Sequence, residues 1–239
     1  MRWIEWALDE WEAIFFVLAC IVVAAGYLCY WRPREKRNLI RGAAEGWTCR
    51  FTTPGLFRTI EAVMRGENGA EGVIRVEEGR LLRIETNRGL PARVRLIPSS
   101  VEARPLAGAQ PVSLQHKTFD AAFRLEADDF MVAGDVMTVR ELRHRLSQEL
   151  PALRLFVDHH RTVAVVPGGR LADVTMVMWM VSFVARKSGG DAPVQEGEGC
   201  ATCGSKPDET MIACKCGVKQ HRGCWELFAG CARFRCRGG

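Results

Sequence analysis

Apolar and polar residues divide the chain into stretches of different period. From Ala13 to Trp31 no charge interrupts AIFFVLACIVVAAGYLCYW, a run of nineteen residues. As a helix rising 1.5 Å per residue it would measure about 28 Å, close to the hydrocarbon thickness of a bilayer. Trp3, Trp6 and Trp11 precede it, and Tyr27, Tyr30 and Trp31 close it, as expected for aromatic rings at headgroup depth. The pattern predicts a transmembrane helix over 13–31 that Pro33 stops. A secretory signal peptide fits poorly, because Glu5, Asp9, Glu10 and Glu12 make the leading segment acidic and no small-residue cleavage site follows.

Residues 46–187 are long enough for one domain of ordinary size. Thr53-Pro54 followed by LFRTIEAVMR reads as a short amphipathic helix with Leu56, Ile60 and Val63 on one face. GVIRV, LLRIE and ARVRLI then alternate apolar with charged residues and predict strands at Val73–Val76, Leu81–Ile84 and Ala92–Ile97, a meander with one solvated face. Ala121–Leu125 adds a strand. Thr138 is placed to cap the helix VRELRHRLSQEL, with Glu141 completing a capping box. Leu153–Val157 and Thr162–Val166 read as a closing hairpin. The uncharged segment within Leu171–Ala185 is too short to span a bilayer and predicts a buried core helix, with an interfacial helix as the alternative. The expected class is α+β: a mixed sheet-and-helix domain with sheet and helices segregated.

Charge orients the expected span. Arg32, Arg34, Lys36, Arg37 and Arg41 follow it, whereas Arg2 is the lone basic residue before it. The positive-inside rule then places residues 1–12 outside the cell membrane, makes 32–45 a basic juxtamembrane segment, and leaves the bulk of the chain cytoplasmic. The net charge of +5 suits anionic lipid better than nucleic acid, so a membrane and not a nucleic acid is the expected partner.

Chemistry concentrates at the C-terminal end. After a polar, glycine-rich linker over 188–199, residues 200–239 carry Cys200, Cys203, Cys214, Cys216, His221, Cys224, Cys231 and Cys236 at short spacings. Eight soft donors suit two closed tetrahedral zinc sites, which build a scaffold and leave no position open for water. A segment this short buries little apolar surface, and structural zinc would supply its folding energy. A disulfide knot is the alternative. An odd number of thiols, a histidine in ligand register and paired spacings favour metal. In a cross-brace, Cys200, Cys203, His221 and Cys224 hold one Zn2+, and Cys214, Cys216, Cys231 and Cys236 hold the second. A sequential grouping of Cys200, Cys203, Cys214 and Cys216 is the other arrangement. Reduced thiols agree with a cytoplasmic location, and Cys20, Cys29 and Cys49 are too scattered to form a site.

The run CGVKQHRGCWELFAGC followed by ARFRC resembles the RING-like finger at the ends of many bacterial membrane proteins, prokaryotic RING finger family one, over residues 200–236. Cys216-Gly217, His221, Cys224-Trp225 and Gly230-Cys231 fall in its register. Cys214-Lys215-Cys216 is one residue shorter than the usual knuckle, and Ala229 stands where the family has the first glycine of a pair. The resemblance implies a zinc-built protein-interaction module. Trp225 is expected to plug the small core between the two sites, a partner-facing role being the alternative. Ligase-type RING domains present a bulky apolar residue between their first two ligands, where this chain has Ala201-Thr202.

Catalytic constellations are absent from the pattern. His159-His160 reads as a solvated loop pair. Asp120 and Asp128-Asp129 match no calcium loop, and Gly168-Gly169 and Gly189-Gly190 lack a phosphate-binding context. The expected function is membrane-anchored protein recruitment through the finger. A ligase-like adaptor for a ubiquitin-type conjugating enzyme is the alternative, and redox or zinc sensing a third reading.

Overall fold

Alternation of apolar with charged residues in the strands builds a nine-stranded sheet. The computed structural model describes residues 16–27, 31–52, 59–66, 69–137, 140–187, 199–234 and 236. Its strands are β1 (Trp47–Phe51), β2 (Thr59–Gly66), β3 (Glu71–Glu77), β4 (Leu81–Thr86), β5 (Val94–Pro98), β6 (Gln110–Val112), β7 (Phe123–Ala127), β8 (Arg154–Val157) and β9 (Thr162–Pro167). They lie in the order β1-β2-β3-β4-β9-β8-β5-β7-β6. Every pairing in this sheet is antiparallel. The sheet is antiparallel throughout, and the β8–β9 hairpin inserts between β4 and β5.

One face carries the main core. Ile60, Ile74, Leu82, Ile84, Leu96 and Leu155 point to it and meet the helices. These are α2 (Arg32–Ala43), α3 (Lys117–Ala122), α4 (Phe130–Val136), α5 (Arg140–Glu149) and α6 (Val174–Lys187). The apolar segment expected as a core helix is α6, which buries Val174, Val177, Met178, Val181 and Val184 against β4 and β9. Trp47 Nε1 donates to Ser182 Oγ at 2.9 Å and ties β1 to the same helix.

Two element assignments change. The expected helix over LFRTIEAVMR is a strand where it is described, because Ile60, Ala62 and Met64 alternate into the core at period two. Residues 53–58 lie outside the described residues. The expected strand at Ala121–Leu125 begins at Phe123, after α3 ends at Ala122. Thr138 lies outside the described residues, as does the side chain of Glu141.

The transmembrane expectation is overturned. Among the described residues no helix is long and apolar enough to cross a membrane. The described part of this region is helical over residues 16–26, labelled α1. Residues 1–15 and 28–30 lie outside the described residues. Pro33 does not end a helix; it occupies the first turn of α2, where its missing N–H leaves no bond unmade. The expected juxtamembrane segment is α2, which buries Ile40 in the core and sets Arg37 and Arg41 over the Phe51 ring at 5.6 and 5.4 Å. A single-pass membrane localisation, with its N-out orientation, is accordingly not supported.

The second face differs from the expected solvated one. Residues of β4 and β5 are buried on both sides. Ile97, Phe156, Val163 and Val165 form a smaller apolar cluster there with Leu227 and Phe228 from the C-terminal segment. Beside them Arg83 pairs with Glu85 at 2.7 Å, and Arg95 pairs with Glu126. The C-terminal segment that follows the expected linker is thus packed on the sheet. Of that linker, residues 188–198 lie outside the described residues.

Candidate metal centres

The C-terminal segment folds from tight turns joined by a two-stranded sheet, β10 (Met211–Ala213) and β11 (Lys219–His221), and a short helix, α7 (Arg222–Leu227). Gly204 N–H bonds Cys200 O, closing the first cysteine loop, and Gly217 N–H bonds Cys214 O, closing the second. Two sets of side chains converge. In one, Cys200, Cys203, His221 and Cys224 are all buried; in the other, Cys214 and Cys231 are buried while Cys216 and Cys236 are half-exposed. Within each set the ligand atoms lie within 4.8 Å of one another. Consecutive members of the chain thus alternate between the sets in pairs, the cross-brace order, and the sequential grouping of Cys214 and Cys216 with Cys200 and Cys203 is not the one assembled.

Both sets fit a tetrahedral ion. Metal–ligand bonds of about 2.0–2.3 Å imply ligand–ligand edges of about 3.3–3.8 Å. Cys203 Sγ lies 3.3 Å from His221 Nδ1, Cys214 Sγ lies 3.3 Å from Cys236 Sγ, and Cys216 Sγ lies 3.5 Å from Cys231 Sγ. The sulfur–sulfur separations also exceed the roughly 2.05 Å of a disulfide bond. Crowding splits their proton affinities. Hydrogen bonds from Cys200 and Cys224 pull Cys203 far below the ordinary thiol range, and hydrogen bonding to Cys200 and Cys203 drives Cys224 far above it. In the second set burial pushes Cys231 up. Burial also opposes ionisation of Cys216, but the Val218 backbone and the neighbouring thiols outweigh it and bring the group down to about 7. Sulfurs this close carry charge together only around a cation.

A second layer of contacts orients the ligands. His221 turns Nδ1 toward the sulfurs and Nε2 toward Lys206 O at 3.3 Å, with Asp208 Oδ1 3.7 Å away. A hydrogen bond from Thr210 and the nearby Arg104 guanidinium hold the Asp208 carboxyl down, at about 2. Gln220, fully buried, donates from Nε2 to Gly230 O at 3.0 Å and accepts from Ala232 N at 2.8 Å, holding the loop that carries Cys231. Backbone N–H groups of His221 and Arg233 point at Cys200 Sγ and Cys231 Sγ.

Arginines of the sheet domain engage the same loops. Arg83 donates to Phe228 O and, at 3.4 Å, to Cys231 O. Arg154 donates to Leu227 O at 2.9 Å. These carbonyls close the C-terminal end of α7, where peptide oxygens lack helical partners and favour cations. Arg104 pairs with Asp208, and Ala107 N–H donates to Cys203 O at 2.9 Å. A Cβ on Gly230, whose φ is +149°, would lie 2.7 Å from Arg83 Nη1; one on Gly204 would lie 2.6 Å from Arg93 Nη1. Glycine at both positions admits the arginines.

Residue patterns alone missed Gln220 and these arginines. For Arg83 the signal was the alternation in LLRIE, whose charged position bonds the metal-site segment instead of meeting solvent.

Trp225 does not plug the core between the sites. Leu227 and Phe228 are the buried side chains, with the Phe228 and Phe156 rings 5.6 Å apart, whereas Trp225 is half-buried. It walls a cleft of about 500 Å³ between the metal-site segment and the open part of the sheet's second face, whose floor includes Val63, Val73 and Arg75. Other expected loop residues have local roles. Asp158 caps its turn by accepting from His160 N and Arg161 N, Asp129 caps α4, Asp120 accepts from Ser113, and Asp128 pairs with Arg93.

No family model and no curated protein matches the chain. Among solved structures it is similar to the crystal structure of the mycobacterial trehalose monomycolate transport factor A, TtfA, at a TM-score of 0.41 and 11% identity, covering 69% of this chain and 99% of that one. So slight a likeness carries neither fold nor function across, and none of these findings bears on the RING-like resemblance of residues 200–236.

Proposed function

We propose that this chain is a zinc-organised scaffold that recruits a partner protein through its RING-like C-terminal finger. The donor chemistry supports zinc: three thiolates with an imidazole, and four thiolates, are closed sets that suit a structural ion and leave no position for a reacting water. Zinc bound there would fix the loops and supply no reaction; the chain's own residues do the binding.

The observation that carries the recruitment reading is the placement of Trp225. Its neighbours Leu227 and Phe228 fill the core, while its ring stays half-open over a cleft where Val63 and Val73 lie among paired charges, Arg75 with Glu61 and Arg83 with Glu85. An aromatic anchor beside a rigid ligand loop is the chemistry of an interface hot spot.

Two measurements test this. Elemental analysis of the purified chain is expected to find two zinc ions per molecule; far fewer, with oxidised thiols, overturns the metal reading. Peptides selected from a displayed library on the zinc-loaded chain are expected to lose binding to Trp225→Ala. A loaded chain that selects no binder, or only binders indifferent to that substitution, overturns recruitment at the cleft.

A further inference from the structure

We infer that the all-cysteine set is an oxidative modification site, a peroxide-sensitive latch that releases its metal and loosens the finger from the sheet. This inference rests on the metal reading above.

The two sets differ in access. Every member of the histidine-containing set is buried, and its imidazole is backed by Lys206 O with Asp208 nearby. The all-cysteine set has Cys216 and Cys236 half-exposed, and Cys231 and Cys236 form part of the cleft wall, open to a molecule as small as peroxide. It is also purely thiolate, and thiolate sulfur is the nucleophile toward peroxide.

Sulfur pairs stand ready. Cys216 lies 3.5 Å from Cys231 and Cys214 lies 3.3 Å from Cys236, so each half-exposed thiolate has a buried one beside it. The exposed thiolate attacks one peroxide oxygen; the O–O bond breaks, leaving a sulfenic acid and hydroxide. The neighbouring thiolate then attacks the sulfenic sulfur, forming the S–S bond and expelling a second hydroxide. Two protons convert both hydroxides to water, so two thiolates are oxidised by two electrons and one hydrogen peroxide is reduced. An ion held by this set would be left with two of its four thiolates and would be released.

The effect reaches the sheet because the loop from Phe228 to Cys231, which ends in this set, carries docking contacts of its own. Cys231 O and Phe228 O accept from Arg83, and Gly230 O is held by Gln220. A disulfide that pulls Cys231 toward Cys216, or Cys236 toward Cys214, moves the loop those bonds fix.

The test uses the full chain, its two zinc ions first verified by elemental analysis; a lower value overturns the metal reading itself. Hydrogen peroxide is then added with a chromogenic zinc chelator, disulfides are mapped by mass spectrometry, and amide exchange is followed at Phe228 and Ala107. The expected result is release of one zinc equivalent before the second. Its disulfide falls within Cys214, Cys216, Cys231 and Cys236, exchange accelerates at Phe228, and thiol reductant with zinc reverses the change. Release from the histidine-containing set first, simultaneous loss of both ions, retention of both, or oxidation without faster exchange at Phe228 would each overturn the latch while leaving the metal reading intact.

Discussion

The two faces of the sheet are built from the same strands but covered by different means. On the first, apolar residues meet five helices in a core that needs no ligand. On the second, a small apolar cluster is mixed with buried Arg83–Glu85 and Arg95–Glu126 pairs and meets a segment too short to have a core of its own. Its cover is a short segment that gathers eight Cys and His side chains into two clusters able to hold a metal ion. Charged residues at alternate strand positions therefore mark, in this protein, a face that receives hydrogen-bonding loops. Arginine suits that task, since it satisfies peptide oxygens at a distance while its stem packs against apolar neighbours.

Removing the metal should separate the faces most strongly. Structural zinc contributes roughly 10–16 kcal/mol of apparent binding energy, so chelation, or Cys203→Ser or His221→Ala, should unfold the finger and expose Ile97, Phe156, Val163 and Val165. Amide exchange should then accelerate on the finger and in the Leu106–Ala107 loop, with the α6 amides much less affected. Unchanged exchange at Ala107 would show that the finger docks without its metal.

Next come the docking contacts. Phe228→Ala is expected to cost about 3–5 kcal/mol by urea denaturation, as for a core phenylalanine, and Met178→Ala on the helix-covered face about 2–5 kcal/mol. Chelation should abolish the first effect and spare the second. Arg83→Ala should cost about 3–5 kcal/mol, because it leaves Glu85 buried beside unpaired carbonyls; a surface-like value near zero would mean that water replaces the guanidinium.

Smaller effects sharpen the picture of α7. Trp225→Ala should cost on the order of 1 kcal/mol, the ring being half-buried, well under the Phe228→Ala value. Ala229 sits at φ +52° just past the helix, with Ala229 N bonding Glu226 O and Gly230 N bonding Trp225 O. This is the turn where glycine is favoured, so Ala229→Gly should stabilise the zinc-loaded chain by about 1 kcal/mol in the same titration.

Local features were readable where periodicity and spacing carry them. Val73–Val76 and Leu81–Ile84 are strands because period two leaves no alternative that buries their apolar side chains. The spacing of Cys200 through Cys236 marked the side chains that the fold gathers into two sets. LFRTIEAVMR was misread because Ile60 and Val63 satisfy a helical period as well as Ile60, Ala62 and Met64 satisfy a strand. The N-terminal apolar run misled for a related reason: hydropathy reports how little a segment needs water, and among the described residues no helix is long and apolar enough to cross a membrane.

The type and order of the side chains settle the donor chemistry of the finger and the alternation of its supporting strands, since both follow from residues close in the chain. Which face the finger covers, and which arginines hold it, depend on contacts such as Arg83 with Phe228 and Arg104 with Asp208, residues more than a hundred positions apart. Their charges look the same in sequence whether they meet water or a carbonyl. Packing of the helices onto the first face assigns them to the second, because one side of the sheet is then already full.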